Sequence, residues 1–442
     1  MIAQPVPNLE RLPAATPVRI RGNRRQALLV ATLGFFGGFA GVAVFGPLVP
    51  HFSDLLALSP LAAALLAAMP NLTGSLLRIP FGAAVDRFGG RKPFLLLLAI
   101  IIVGMSGLLA LVGFAYPAHM AGSYPLLLGL AVLIGCGIAT FSVGIAQVSY
   151  WFPQREQGGA LGTYGGLGNL SPGLSTLLLP LAVASLGMLA GYGMWLAILI
   201  AITLVYAACM HDAPVFQLRQ RGIIPVAASL ARYGGGETIP AGSAKEGLLA
   251  AARVPATWTL VAFYFLSFGG FLALTAWLPM YWHAMYGSSL RVAGLLTAAF
   301  AIFTALVRVG GGLASDRLPI RYALAGNFGL MFVGLLVIGL SHDFALSLAG
   351  TVAVGLGMGL QNAIIFKLVP ICVPGAVGGA SGWIGGLGAL GGFVLPPLMG
   401  IATSLVGGAD GYARGFLPFA ALVLVALPLV MSLDRWTGRG AR

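Results

Sequence analysis

The sequence predicts an all-α integral membrane protein with twelve spanning helices arranged as two related six-helix bundles. Three observations carry that expectation: a composition too apolar for water, twelve segments long enough to cross a bilayer, and a set of motifs that occurs twice in the same order. Of 442 residues, 59% are hydrophobic and only 8% charged, against about 25% charged in soluble domains. The mean hydropathy is +0.96. A globular core has no use for that much apolar surface, so lipid is the solvent for most of the chain. The 65 glycines and 27 prolines suit closely packed, kinked membrane helices, where neighbouring helices satisfy freed backbone groups.

A spanning helix needs about 20 apolar residues. Such segments lie at 27–50, 60–84, 93–115, 124–150, 157–185, 188–209, 256–282, 292–314, 323–341, 345–370, 378–404 and 413–432. They divide the chain into an N-terminal segment 1–26, a first bundle 27–210, a central loop 211–254, a second bundle 255–433 and a tail 434–442. Residues 1–26 are polar and basic, with no apolar h-region or small-residue cleavage site, so the first helix is expected to act as an uncleaved insertion signal. Cys136, Cys209 and Cys372 fall in or beside apolar segments without metal-ligand spacing. They read as small buried hydrophobes. No cofactor and no metal are expected.

The net charge of +13 records topology rather than nucleic-acid binding. Nineteen cations fall on one side of the twelve-helix arrangement. They cluster before the first helix, after the second, fourth and eighth, in the central loop and in the tail. Only Arg291 and Arg414 fall on the other side. The positive-inside rule then puts both termini in the cytoplasm, in a bacterial-type inner membrane, with the basic face against anionic lipid.

The two halves repeat each other. The second helix and its loop read Arg78-x3-Gly82-x3-Asp86-Arg87, and the eighth reads Arg308-x3-Gly312-x3-Asp316-Arg317, 230 residues later. The fifth helix carries Gly165-Gly166-Leu167-Gly168 and the eleventh Gly385-Gly386-Leu387-Gly388, 220 residues later. Gly37-Gly38-Phe39 in the first helix matches Gly269-Gly270-Phe271 in the seventh. Three matches in one order imply duplication, and two parallel six-helix repeats about an axis along the membrane normal describe the major facilitator fold. The stretch from Gly82 to Lys92 resembles that superfamily's signature loop. Asp86, Arg87 and Arg91, with Asp316 and Arg317 in the second copy, are expected to form a cytoplasmic charge latch between helices.

Arg78, Arg308 and Lys367 sit inside apolar segments. A charge there costs roughly 2.5–3.5 kcal/mol on insertion scales, and such residues mark transport pathways. All eleven acids lie outside the spans or at their ends. The buried cations therefore have no anionic partner in the membrane, and an anion from solution is the missing one. Two symmetry-related guanidiniums present planar forks that suit a small flat oxyanion. Asn169, the one amide in the glycine-rich fifth helix, can add a hydrogen bond. The glycines of the fifth and eleventh helices are expected to let backbones approach closely and slide.

These residues resemble the nitrate/nitrite porters (NarK type) of the major facilitator superfamily. Gly165-Gly166-Leu167-Gly168-Asn169 and the run Ser381–Pro397 look like that family's two nitrate-signature helices. The resemblance implies that Arg78 and Arg308 are the substrate clamp. It also implies that Tyr264, Phe268 and Phe141 line the site. A flat, weakly hydrated anion tolerates aromatic walls better than sulfate or phosphate does. The expected activity is secondary transport of nitrate and nitrite by one copy of the chain, as exchange or as proton-coupled import. The absence of a membrane carboxylate favours exchange. Lys367 either couples a proton, since a buried lysine can lose its charge, or extends to the cytoplasmic face. An exchanger of formate or oxalate on the same fold is the nearest rival. An intramembrane enzyme or a sensor is a remote one, since no ligand or nucleophile cluster and no sizeable soluble domain are visible.

Overall fold

The computed structural model describes residues 19–223, 230, 233, 235–236, 244–314, 320–373 and 377–432. It contains twelve helices long and apolar enough to cross a membrane. The first six are α1 (Arg24–Leu56), α2 (Pro60–Phe88), α3 (Arg91–Ala115), α4 (Tyr124–Trp151), α5 (Gly159–Leu186) and α6 (Met188–Cys209). The second six are α7 (Pro255–Tyr286), α8 (Leu290–Arg308, continuing to Ala314), α9 (Ile320–Leu340), α10 (Phe344–Phe366, continuing to Cys372), α11 (Gly379–Val406) and α12 (Gly408–Val430). The expected segments and these helices agree in number and order. The first helix runs further than expected. It passes through two 3₁₀ turns, Ala40–Ala43 and Gly46–Leu48, before resuming at Val49. Pro47 and Pro50 cannot donate to the ladder, so the chain stays helical there only by changing its pitch.

Several helices are broken at mid-depth, and the breaks have local causes. In α2 the first segment ends at Leu76 and a new one starts at Arg78, because Pro80 has no N–H for the Leu76 carbonyl. In α5 the break falls at Asn169 and Leu170, just ahead of Pro172, which cannot bond back to Gly168. Two single π-helical turns occur among the described residues, Phe265–Gly269 in α7 and Ile384–Gly388 in α11. Such turns loosen the ladder and concentrate at functional sites. Nothing in the hydrophobic pattern announces them.

Among the described residues the bundles meet tightly on one side. On the side away from the arginine-rich loops, α11 packs along α2 and α8 along α5. A Cβ at Gly400 would lie 3.0 Å from the Ala64 Cβ and 3.0 Å from the Pro60 carbonyl oxygen. Asn71 of α2 donates to the Gly392 carbonyl of α11 at 3.3 Å. On the basic side the same helix pairs diverge. There a Cβ at Gly159, Gly162 or Gly165 of α5 or at Gly385 of α11 would meet nothing within 4 Å. The close backbone approach expected of the Gly165 and Gly385 positions is therefore not made in this conformation. Gly168 and Gly388 do pack closely, against the rings of Phe35 and Tyr264.

At the basic ends of α2 and α3, the turn after α2 is fastened to the end of α6. Gly89, at φ +78°, stops the helix in the left-handed region. The Arg91 N–H donates to the Asp212 carboxylate at 2.9 Å, and the Arg91 guanidinium donates to the Ala207 carbonyl at 2.6 Å. Burial raises the Asp212 carboxyl above its ordinary range, and the Arg91 N–H and charge pull it part of the way back. Asp212→Ala would strand the Arg91 N–H. We expect it to destabilise the protein by roughly 1–3 kcal/mol, read as a lower melting temperature in detergent.

Candidate functional site

The break in α2 puts Arg78 at the start of a helical segment in the middle of the fold, where it is 1% exposed. Its Nη1 donates to the Gly385 carbonyl of α11 at 3.1 Å, in the π turn of that helix. Its Nε and Nη2 make no hydrogen bond. Arg308, from the unbroken α8, lies across the bundle interface, and its Nη1 is likewise buried without a partner. Among the described residues neither arginine forms a salt bridge.

Both cations lie against one ring. The guanidinium carbons of Arg78 and Arg308 lie 5.3 and 5.7 Å from the centroid of Phe268. Phe141 lies 4.9 Å from Arg78 on another side. Each such contact contributes about 0.5–2 kcal/mol, which offsets part of the cost of burying the charge. The π turn of α7 stacks Phe268 on Tyr264, centroids 4.9 Å apart and 8° from parallel. The Tyr264 hydroxyl sits by Arg308 without reaching hydrogen-bond geometry.

A small cavity opens beside Arg308, lined by Asn169, Phe268, Phe271, Thr304, Ala305 and Asn362. About 10 Å³ of it is open to the centre of a water, which is room for one. Asn169 is placed by the break ahead of Pro172.

The sequence-predicted residues Arg78, Arg308, Asn169, Tyr264, Phe268 and Phe141 therefore come together in one place. The signature glycines Gly386 and Gly388 adjoin it: a Cβ at Gly386 would meet Ile79 and one at Gly388 the Tyr264 ring. Three further residues of the site are not among those the sequence predicts. Tyr164 of α5 donates to the Thr140 and Phe141 carbonyls at 2.9 and 3.3 Å and so holds the Phe141 backbone in position. Thr304 and Asn362 line the cavity. Asn362 was findable, since Gln361-Asn362 is a pair of amides inside an apolar segment.

The latch residues have partners within the first bundle. Asp86 accepts from the Tyr150 hydroxyl at 2.6 Å, Arg87 covers the Phe88 ring and Arg91 is tied to α6 as above. Asp316 and Arg317 lie outside the described residues, as does the side chain of Lys367.

This geometry has relatives. Residues 31–396 match the Major Facilitator Superfamily model. The chain is 32% identical to the probable nitrate/nitrite antiporter NarK1 of Thermus thermophilus over 88% of this chain and 87% of that one. It is 33% identical to the probable nitrate/nitrite transporter NarK2 of Mycobacterium tuberculosis over 90% and 94%. It is 28% identical to a nitrite extrusion protein of Bacillus subtilis over 92% and 94%. Among solved structures, a D-xylose–proton symporter superposes with a TM-score of 0.71 at 14% identity, covering 95% of this chain and 99% of that one. That likeness concerns the fold alone. Matching motifs, matching architecture and relatives aligned nearly end to end lead to one conclusion: the chain belongs to the major facilitator superfamily and, within it, to the nitrate/nitrite porters of NarK type.

Proposed function

We propose that the chain carries nitrate and nitrite across the bacterial inner membrane by alternating access, with the anion held between Arg78 and Arg308. The observation that carries this reading is the pair of guanidiniums around Phe268, with buried, unspent N–H donors and no carboxylate beside them among the described residues. A small flat anion supplies the missing charge, and the ring offers a face that a weakly hydrated ion tolerates. The names of the relatives support nitrate and nitrite as the anions.

The positive-inside rule makes the basic side, where the bundles diverge, cytoplasmic. All eleven acids lie outside the spans or at their ends, which leaves no carboxylate to carry a proton with the anion. Exchange follows: the bound anion offsets one of the two arginine charges, the loaded site swings, and the return trip needs another anion. One copy of the chain contains the whole site.

Counterflow of labelled nitrate into proteoliposomes tests substrate and coupling together. Internal nitrite should drive uptake, a pH gradient alone should not, and formate and oxalate should not compete. Uptake driven by the pH gradient would overturn exchange and return attention to Lys367. Equal competition by the carboxylates would overturn the substrate.

A further inference from the structure

The two arginines are related by the internal repeat, but their surroundings are not. Arg78 already serves the Gly385 carbonyl and lies between aromatic rings. Arg308 faces the small cavity, and there the polar company is amide. Thr304 contributes little, since its hydroxyl is spent on the Phe300 carbonyl at 2.8 Å. Asn169 is 3% exposed and Asn362 2% exposed. The Oδ1 atom of each is buried without a partner. Neither amide is imposed by the duplication, because the repeat offset of 220 pairs Asn169 with Ala389 and Asn362 with Ser142. Two carboxamides from different bundles thus converge on one side of the anion position.

A buried amide left unsatisfied is costly unless something uses it. A carboxamide has two N–H donors and one carbonyl, and a half-turn about its last torsion exchanges them in the same space. Beside a cation that awaits an anion, the useful orientation presents N–H. Nitrate is planar with three equivalent oxygens; nitrite has two, and a nitrogen lone pair where the third would be. Two guanidiniums approaching from opposite sides can serve two oxygens. A third buried oxygen then needs its own donor.

We propose that Asn362, paired with Asn169, reads the third oxygen of nitrate and is the residue that sets preference for nitrate over nitrite. The assignment rests on the function proposed above and adds to it a discriminating contact. A site that hydrogen-bonds a group rejects the analogue lacking it far more strongly than an apolar pocket does. Removing that contact therefore weakens nitrate and spares nitrite.

The test is equilibrium competition of unlabelled nitrate and nitrite against labelled nitrite, on wild type, Asn362→Ala and Asn362→Leu. Leucine keeps the branched shape and heavy-atom count of asparagine without its donors, which preserves a folded variant if alanine leaves a hole. The expected result is nitrate affinity lowered about tenfold or more, as for a hydrogen bond to a charged group, with nitrite within about threefold of wild type. Equal weakening of both anions would show a merely structural asparagine and overturn the proposal, as would an unchanged ratio. Wild type that binds neither anion would overturn the underlying function as well. Wild type that binds both while the variants leave the ratio unmoved would sink only the role of Asn362.

Discussion

Lysine in place of Arg78 should lower nitrate affinity about 10²-fold while leaving the protein folded. Arg78 divides its fork, with Nη1 on the Gly385 carbonyl and Nε and Nη2 unspent. A single ammonium cannot satisfy that carbonyl and present a planar pair of donors to the anion as well. The loss is one or two charge-assisted hydrogen bonds, roughly 3 kcal/mol, and 1.4 kcal/mol corresponds to about a factor of ten. Charge is conserved, so a mere requirement for positive potential would leave affinity near normal. Titration of nitrate into the purified protein, beside a melting curve for each variant, separates lost binding from lost folding. Near-normal affinity in Arg78→Lys would remove the fork from the site.

The second large effect concerns the moving parts. Gly400→Leu should cut transport at least about tenfold and leave nitrate binding within a few-fold of wild type. A side chain there would meet Ala64, Pro60 and Leu61 of α2 at 3.0–3.1 Å from its first carbon, and these are atoms of a packed helix rather than a flexible tip. Overpacking a seam of this kind costs about 1–3 kcal/mol. The cost falls only on conformations in which the side away from the basic loops is closed, so the equilibrium shifts to the opposite state. Paired spin labels on the basic ends of α2 and α11 should report a shorter distance in the variant. Unchanged distances with full transport would mean that this seam does not open in the cycle.

Much of this was legible in the sequence for identifiable reasons. Span number follows from hydropathy, because every backbone polar group in lipid must be satisfied within a helix. The pairing of Arg78 with Arg308 follows from duplication, and the lack of a membrane carboxylate follows from listing eleven acids. The π turns in α7 and α11 were not legible. They depend on contacts between helices, and no local residue preference dictates them. Yet they stack Phe268 on Tyr264 and turn the Gly385 carbonyl toward Arg78. Asn362 was less legible because it carries no charge, although a buried amide left unsatisfied still costs about 1–3 kcal/mol. The glycine positions illustrate a different limit. Their spacing marks them as contact sites, but which are in contact depends on conformation: Gly388 is packed and Gly385 open.

A structure determined with nitrate bound tests the central claim most directly. Planar density should lie against the Phe268 ring, with one edge within hydrogen-bond distance of Arg78 Nε or Nη2 and another within reach of Arg308 Nη1. Density elsewhere in the fold, or an anion held by one arginine while the other keeps only protein partners, would contradict the two-arginine clamp.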